Sequence, residues 1–281
     1  MEVALQALLI GLIQGLTEFI PISSSAHLEL APWVLGWQPN RLIGTLAFDV
    51  FLHLGTALAL LAYFRNDWIR LARAFVASVV ERRLGHDPER RLAWLLALGT
   101  LPAAAIGFAL EGPIEELFHR DTTAARLAIA GFLVAGAIML LAADRWGRRR
   151  RELDSLRWTE AGLIGVAQGL ALLPGISRSG VTISAGLAFG LRREAAARFS
   201  FLLATPITLG AGLYGSRALA SEQLSGVEWV AAGVGFAAST VAGLVAIGFL
   251  LRWLRRRSVA PFAAYRVALA IVVVILVAAG R

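Results

Sequence analysis

IGLIQGLTEFIPISSS (10–25) and IGVAQGLALLPGISRS (164–179) are two stretches of one 281-residue chain that align without a gap. Gln14 then pairs with Gln168, an offset of 154 positions (168 − 14). Each stretch combines a short apolar run, a Gln-Gly-Leu, a proline and a Ser-x-Ser. Because a single offset preserves the Gln-Gly-Leu and the Ser-x-Ser, the two stretches indicate an internal repeat. Paired breaks of this kind point to the binding site of membrane proteins that are built from repeats.

The composition places the chain among membrane proteins. It is 58% hydrophobic and 16% charged, with a mean hydropathy of +0.69. Soluble domains are about 45–50% apolar and about 25% charged. The absence of cysteine excludes disulfides and thiolate metal sites. The N-terminus has no basic region, so we expect no cleavable signal peptide.

The chain is basic, with a formal net charge of +8 and 27 cationic residues that are all arginine. A basic balance can indicate nucleic-acid binding. Here the arginines cluster between apolar blocks, which is typical of topology signals in a membrane protein. We therefore expect membrane lipids as partners and no nucleic acid.

The apolar blocks predict six transmembrane helices, since a span needs roughly 20 mostly apolar residues. Val3–Ile13 and Ala161–Leu173 are too short for a span and are predicted to be re-entrant or buried. The six predicted spans are about 48–64, 92–110, 124–143, 199–216, 228–251 and 262–279.

The arginine clusters predict the orientation, because basic loops remain in the cytoplasm. They lie at 65–91, 145–158 and 251–257. Segments 111–123 and 217–227 then lie outside, as does the C-terminus.

The predicted fold class is therefore an all-α polytopic membrane protein, with six transmembrane helices and two re-entrant hairpins in one integral membrane domain (1–281). Each hairpin is followed by three spans, an odd number, so the second copy has inverted topology. Repeat one covers 1–144 with its hairpin at about 1–40. Repeat two covers 155–281 with its hairpin at about 160–192. The two hairpin tips should meet inside the membrane.

Each tip is predicted to end one helix and to begin another. Pro21 should end the first helix near Ile20, and Ser23-Ser24-Ser25 should open the next, because serine is a favoured N-cap. Pro174-Gly175 and Ser177-Arg178-Ser179 repeat this arrangement. Helix N-termini bind anions, and arginine suits bidentate phosphate recognition. The tips therefore predict an anionic ligand, most simply a phosphate.

Glu18 and His27 are the titratable residues of the first tip. A carboxylate inside a membrane is a functional hypothesis by default. Gln14 lies on the same helical face as Glu18, four residues earlier. Ser24 and His27 are three apart, so the imidazole could assist an attack by the hydroxyl or protonate a leaving group.

Each feature also has a purely structural interpretation. Membrane serines often bond neighbouring backbone, a lone histidine is commonly a satisfied polar residue, and Glu18 could only pair with Arg178. Their joint occurrence at two related breaks favours function. For Asp49 and His53, at the start of a span, we favour an interfacial or structural role.

At these residues the chain resembles the bacterial undecaprenyl-diphosphatase family, the bacitracin-resistance proteins. QGLTEFIPISSSAH (14–27) and PGISRSGVT (174–182) are similar to the two family motifs. FDVFLHLGT (48–56) and FSFLLATP (199–206) also resemble family segments, so the likeness covers nearly the whole chain.

The resemblance implies removal of the terminal phosphate of undecaprenyl diphosphate. The product is the lipid carrier of peptidoglycan synthesis. It also implies a site open to the outer face of the bacterial cytoplasmic membrane. A divalent cation, Mg²⁺ or Ca²⁺, is implied near Glu18 and Gln14, but glutamine replaces the second carboxylate here and puts a two-carboxylate metal site in doubt. Carried over by position, the catalytic residues are Glu18, Ser24, His27 and Arg178, and the phosphate-binding residues are Ser23, Ser25, Ser177, Arg178, Ser179 and Thr182.

The predicted reaction is phosphoryl transfer, in which Ser24 attacks, His27 assists, Glu18 orients His27 or binds a cation, and Thr182 donates to a phosphate oxygen. Whether the serine or the histidine attacks stays open. A transporter or flippase for polyprenyl phosphate is the main alternative, because inverted repeats are a transporter architecture. A third alternative is an intramembrane peptide hydrolase, but the chain lacks the Gly-x-Ser-Gly that is usual in that class. Whether two copies form a homodimer is left open.

Overall fold

The structure is a computed structural model that describes residues 1–38, 40–118 and 122–280, and these residues contain helices and no β-sheet. The described residues form eleven α-helices: α1 Glu2–Phe19, α2 Ser24–Leu35, α3 Leu46–Tyr63, α4 Arg65–Val80, α5 Pro88–Phe118, α6 Thr123–Trp146, α7 Trp158–Gly169, α8 Arg178–Ala188, α9 Arg193–Ser221, α10 Gly226–Leu254 and α11 Ala260–Ala278.

Seven of these helices are long and apolar enough to cross a membrane, counted over the described residues. Six of them, α3, α5, α6, α9, α10 and α11, correspond to the six predicted spans. The seventh is α1, which continues the short apolar run through Gln14 and Glu18 to Phe19. The prediction of an all-α, multi-pass membrane protein is therefore confirmed, while length and composition alone count one more candidate than we predicted.

Two predicted connecting segments are partly helical. The basic segment 65–91 contains α4, whose N-terminal neighbour Phe64 caps it directly after α3. Its arginines alternate with apolar residues around the helix. Because the many arginines dominate this segment, its amphipathic helix was not predicted from the sequence. The predicted outer segment 111–123 is shortened, because α5 continues to Phe118. Residues 119–121 of that segment lie outside the described residues.

Three short helices meet at the two predicted breaks. α2, α7 and α8 have 12, 12 and 11 residues, and so rise about 16–18 Å. A bilayer core is about 30 Å thick, so none of the three spans it. At the second break α7 passes through a 3₁₀ turn, Leu170–Leu172, before Pro174.

Glycines bring the first helix of each break against a helix of the other half. Gly11 of α1 faces the backbone of Gly235 in α10, and Gly165 of α7 faces the backbone of Gly99 in α5. A Cβ at Gly11 or Gly165 would overlap the facing carbonyl group. Small residues permit such close approach of helices in membranes. The two contacts therefore fix α1 and α7 at equivalent places.

Phe19 anchors the end of α1 in the protein core. Its side chain is fully buried and packs edge to face on Phe201 of α9, with ring centroids 5.4 Å apart. Such aromatic pairs add about 0.5–1.5 kcal/mol to the effect of burial. The residue just before the first break is thus held rigidly.

Gly165→Ala should destabilise the protein, while Gly162→Ala on the same helix should not. The added methyl at Gly165 meets the backbone of Gly99, whereas nothing lies within 4 Å of a Cβ at Gly162. Overpacking costs about 1–3 kcal/mol, and a helical glycine replaced by alanine gains about 0.5–1 kcal/mol. Thermal unfolding of the two purified variants in detergent measures the difference; equal midpoints would contradict the contact.

Candidate active site

The first break has the geometry that the sequence predicts. α1 ends at Phe19, and Ile20 has an extended backbone (φ −69°, ψ 133°). Ser23 has a positive φ of 76° and caps α2, its Oγ accepting from the amide of Ala26 at 3.4 Å. The first N–H groups of α2 are thereby turned towards the break.

The second break repeats this geometry at the same offset. Ser177 has a φ of 73° and caps α8, and its Oγ accepts from the amide of Gly180 at 3.1 Å. Arg178 is the first residue of the helix. A positive φ is uncommon outside glycine and persists where the surroundings hold it, often at functional sites. Ser23 and Ser177 therefore place two helix starts by the same strained turn.

The two breaks touch each other. The amide of Gly175 donates to Ser23 Oγ at 3.1 Å, and Ser179 Oγ donates to the Ile20 carbonyl at 3.4 Å. Arg178 Nη2 donates to Glu18 Oε1 at 2.5 Å. Elements far apart in sequence thus form one site, with acid and base from different breaks.

Arg266 of α11 also links the two helix breaks through hydrogen bonds. Its fully buried guanidinium donates to the carbonyls of Pro21 (3.5 Å), Gly175 (2.5 Å) and Ile176 (3.0 Å), and to two carbonyls of α6. Sequence analysis missed this residue. The available signal was an arginine inside an apolar span, which is expensive and therefore rarely incidental.

Glu18 is the centre of the hydrogen-bond network. Besides Arg178, its carboxylate accepts from Ser24 Oγ at 2.5 Å and from Gln14 Nε2 at 3.3 Å. His53 Nε2 lies 3.7 Å from Oε2. The buried charge is therefore neutralised by a guanidinium, and the Ser24 hydroxyl is directed at a proton acceptor.

A cavity of about 460 Å³ opens over this network. Its polar wall includes Glu18, Ser24, Ser25, Ser177 and Arg178. The remaining walls come from α3, α5, α9 and the end of α7 with its 3₁₀ turn. A pocket with a few convergent polar groups inside an apolar shell is the usual form of a ligand site.

Buried polar atoms in this region lack partners among the described residues. They are Gln14 Oε1, Arg178 Nη1 and both amide atoms of Gln168. Gln168 also lines the cavity and is 4% exposed. An unsatisfied buried polar group costs about 1–3 kcal/mol. These groups are therefore available to a ligand. Sequence analysis used Gln168 only as a mark of the repeat.

His27 lies at the edge of the site. Its Nδ1 donates to the Ser23 carbonyl at 2.7 Å, and its Nε2 lies 2.8 Å from the hydroxyl of Tyr265, on which the ring stacks. It makes no hydrogen bond to Ser24, and Glu18, predicted to orient it, bonds Ser24 instead. The three-residue spacing of Ser24 and His27 predicted that both lie on one face of α2, but it did not predict that the imidazole contacts Tyr265.

Thr182 is also turned away from the cavity. Its hydroxyl donates to the Arg178 carbonyl at 2.8 Å and lies 2.6 Å from Ser200 Oγ, and it is buried. Ser23 and Ser179 are buried between the breaks. The roles predicted for these residues stay predictions.

His53 contacts the site, which sequence analysis did not predict. Its Nδ1 donates to the Asp49 carbonyl at 2.9 Å, which leaves Nε2 facing Glu18. Its side chain lines the cavity with Ser24 and Arg178. Helix α3, which packs on α9 and α10, thus brings His53 into the site, and the interfacial or structural role predicted for it stays a prediction.

The donor set is small for a resident metal ion. The described residues contain no group of three or more histidine, cysteine, aspartate or glutamate side chains able to hold one. Near the breaks, the Glu18 carboxylate already accepts from Arg178, Ser24 and Gln14, and Gln14 Oε1 and Gln168 Oε1 are the buried amide oxygens that lack a partner among the described residues. Mg²⁺ and Ca²⁺ need about six or more oxygen ligands. These residues do not fit a resident ion, and we derive no step through one.

Comparison with known proteins identifies the family. The model of the family described as "Bacitracin resistance protein BacA" matches residues 7–272. The chain belongs to this family. A relative from Pelobacter propionicus is 45% identical over 262 residues, 93% of each chain, and one from Thermomicrobium roseum is 43% identical over 98% of this chain and 99% of the relative. A relative from Alcanivorax borkumensis is 45% identical over 95% of this chain and 96% of its own length. All three relatives are named undecaprenyl-diphosphatase.

Gln14→Leu should destabilise the protein, while Gln168→Leu should leave it equally or more stable. Both amides are buried at equivalent positions, but Gln14 donates to Glu18 and Gln168 has no partner among the described residues. Losing a hydrogen bond to a charged group costs about 1.5–3 kcal/mol, and removing an unsatisfied amide is neutral or favourable. Thermal midpoints in detergent test this matched pair. A marked loss with Gln168→Leu would show that its amide is structurally satisfied.

Proposed function

We propose that this chain hydrolyses undecaprenyl diphosphate to undecaprenyl phosphate and phosphate. The activity recycles the lipid carrier for peptidoglycan synthesis and accounts for resistance to bacitracin. Membership of the BacA family and relatives named undecaprenyl-diphosphatase support it. The observation that carries it is a cavity in which a serine hydroxyl, a carboxylate and an arginine meet at two helix starts.

The diphosphate is bound by the groups that surround the cavity. The N-termini of α2 and α8 offer amide dipoles to an anion. Arg178 keeps Nη1 free while Nη2 holds Glu18, so one guanidinium can contact both the protein carboxylate and a phosphate oxygen. Ser25 and Ser177 line the same wall, and the Gln168 amide is a further donor.

Ser24 is the proposed nucleophile. Its Oγ forms a bond to the terminal phosphorus, the bond from that phosphorus to the bridging oxygen breaks, and undecaprenyl phosphate leaves. The hydroxyl proton passes to Glu18, which already accepts from it. Water then hydrolyses the phosphoserine and releases phosphate. Arg178 and the helix starts stabilise the charge on the transferred group, which is the main catalytic resource in phosphoryl transfer.

Two imidazoles flank this reaction. Catalytic hydrogen bonds often tighten only with substrate bound, so we keep His27 as the acid that protonates the leaving group. His53 acts through Glu18, whose oxygen it faces at 3.7 Å. Thr182 is assigned to support of Arg178, whose carbonyl it binds.

The proposed topology has six spans and two re-entrant hairpins, in repeats of inverted orientation. Ser23 and Ser177 have matching φ angles and caps at an offset of 154 positions (177 − 23), which supports the repeat. The crossed packing of α1 on α10 and of α7 on α5 also supports it. The basic segments lie in the cytoplasm, and the site opens to the outer face of the bacterial cytoplasmic membrane, as does the C-terminus.

Transport of the monophosphate product would use the same cavity. Phosphate release from detergent-solubilised protein requires no transport, whereas lipid scrambling in liposomes requires no hydrolysis. Measuring both separates the two activities. The molecular mass of the purified protein in the same detergent tests whether it forms a homodimer.

Ser24→Ala and Arg178→Ala should each lower phosphate release from undecaprenyl diphosphate by at least about 100-fold, because each removes a group that acts in the transition state. Gln168→Leu should lower kcat/KM about 10-fold or more, because it removes a hydrogen bond from the amide to the charged phosphate. Ser221→Ala, at the exposed end of α9, is the control. Full turnover by both Ser24→Ala and Arg178→Ala would refute the assignment.

His27→Asn should cost about 100-fold or more in kcat, the usual contribution of an acid–base group. His53→Asn should cost less, because His53 acts through Glu18. Initial rates at saturating substrate compare the two variants. The opposite ranking would transfer the acid–base role to His53.

A further inference from the structure

A second cavity, of about 430 Å³, lies between α4 and α5. Leu71, Ala72 and Phe75 form its α4 side, and Leu96 and Ala97 form its α5 side. We call it the α4 cavity.

The α4 cavity adjoins the site cavity. Thr100 of α5 and Pro206 of α9 line both. Along α5 the two cavities use one stripe of small residues at helical spacing, Ala93, Ala97, Thr100, Ala104 and Gly107. From Ala93 to Gly107 the stripe extends about 21 Å. Helix α5 therefore lines both cavities, which adjoin at Thr100 and Pro206, and we call the two together the path.

The chemistry of the path changes along its length. The site cavity contains Glu18, Arg178 and several hydroxyls. The α4 cavity is lined by aliphatic side chains, Phe75 and Pro206, and only Thr100 and Trp68 carry polar atoms. A ligand that fills both must have an anionic end and a long apolar remainder.

We infer that the α4 cavity binds the prenyl chain of the substrate, next to the diphosphate; this inference rests on the proposed function. A headgroup held at the two breaks lies inside the membrane domain, so its chain must leave through an apolar passage. The α4 cavity is apolar and contiguous with the site. A comparable apolar cavity of about 440 Å³ between α6, α7 and α8 shares no lining residue with the site.

The other end of the site cavity is open to the surroundings. Phe108 and Tyr214 at that end are 95% and 67% exposed. Headgroup and chain then use opposite ends of one path.

The absence of cysteine allows a direct test. Ala97→Cys introduces a single thiol into the α4 cavity, and Ala142→Cys introduces one into the separate cavity beside α6. Each variant is assayed before and after labelling with an alkyl methanethiosulfonate, so that correct folding is established on the unlabelled protein. Undecaprenyl diphosphate and the much shorter farnesyl diphosphate are the substrates.

Labelled Ala97→Cys should raise KM for undecaprenyl diphosphate on the order of 10-fold, as overfilling an occupied site does. KM for farnesyl diphosphate and kcat for both substrates should not change. Undecaprenyl phosphate should slow labelling of Ala97→Cys, and farnesyl phosphate should not. Labelled Ala142→Cys should show none of these effects.

Unchanged kinetics after complete labelling, or equal protection by both lipids, would mean that membrane lipid alone fills the α4 cavity and would overturn the inference. An unlabelled protein that releases phosphate from neither substrate would instead refute the proposed function.

Discussion

The ion pair between Glu18 and Arg178 is the interaction on which the site depends. Each partner comes from a different helix break, and the side chains of Glu18 and Arg178 are only 4% and 15% exposed. Breaking a buried pair leaves an uncompensated charge and costs about 3–5 kcal/mol in soluble proteins. Separating the two breaks would therefore cost several kcal/mol. Ser24 is bonded to the same carboxylate, so the nucleophile is positioned by the contact that joins the halves.

The pair also explains why two similar breaks form one asymmetric site. At the offset of 154 positions, Leu172 stands where the first break has Glu18 (172 − 18), and Ser24 stands where the second has Arg178 (178 − 24). One copy thus supplies the acid and the other the base. A symmetric pair of acids or of arginines would repel across the contact, whereas the diverged copies attract.

Sequence reasoning predicted what depends on local backbone chemistry. Pro21 and the serines fixed where α1 ends and α2 begins, and the 154-residue offset placed Ser177 in the same turn. It could not predict which neighbouring helix a side chain contacts. The contact of His53 with Glu18 was not predicted, His27 was expected beside Ser24, and Arg266 was overlooked. Helical spacing gives the face on which a residue lies but not the helix that it meets. The arginine-rich segment hid α4 for a related reason, since charge dominated its apolar stripe.

The glycine contacts of α1 and α7 have a mechanical consequence. Gly11 and Gly165 seat their helices directly on backbone, with no intervening side chains to shear or re-pack. Such a joint resists rolling or sliding of one half over the other, which rocking-type alternating access requires. The two helices that lead into the breaks are therefore held in place on α10 and α5.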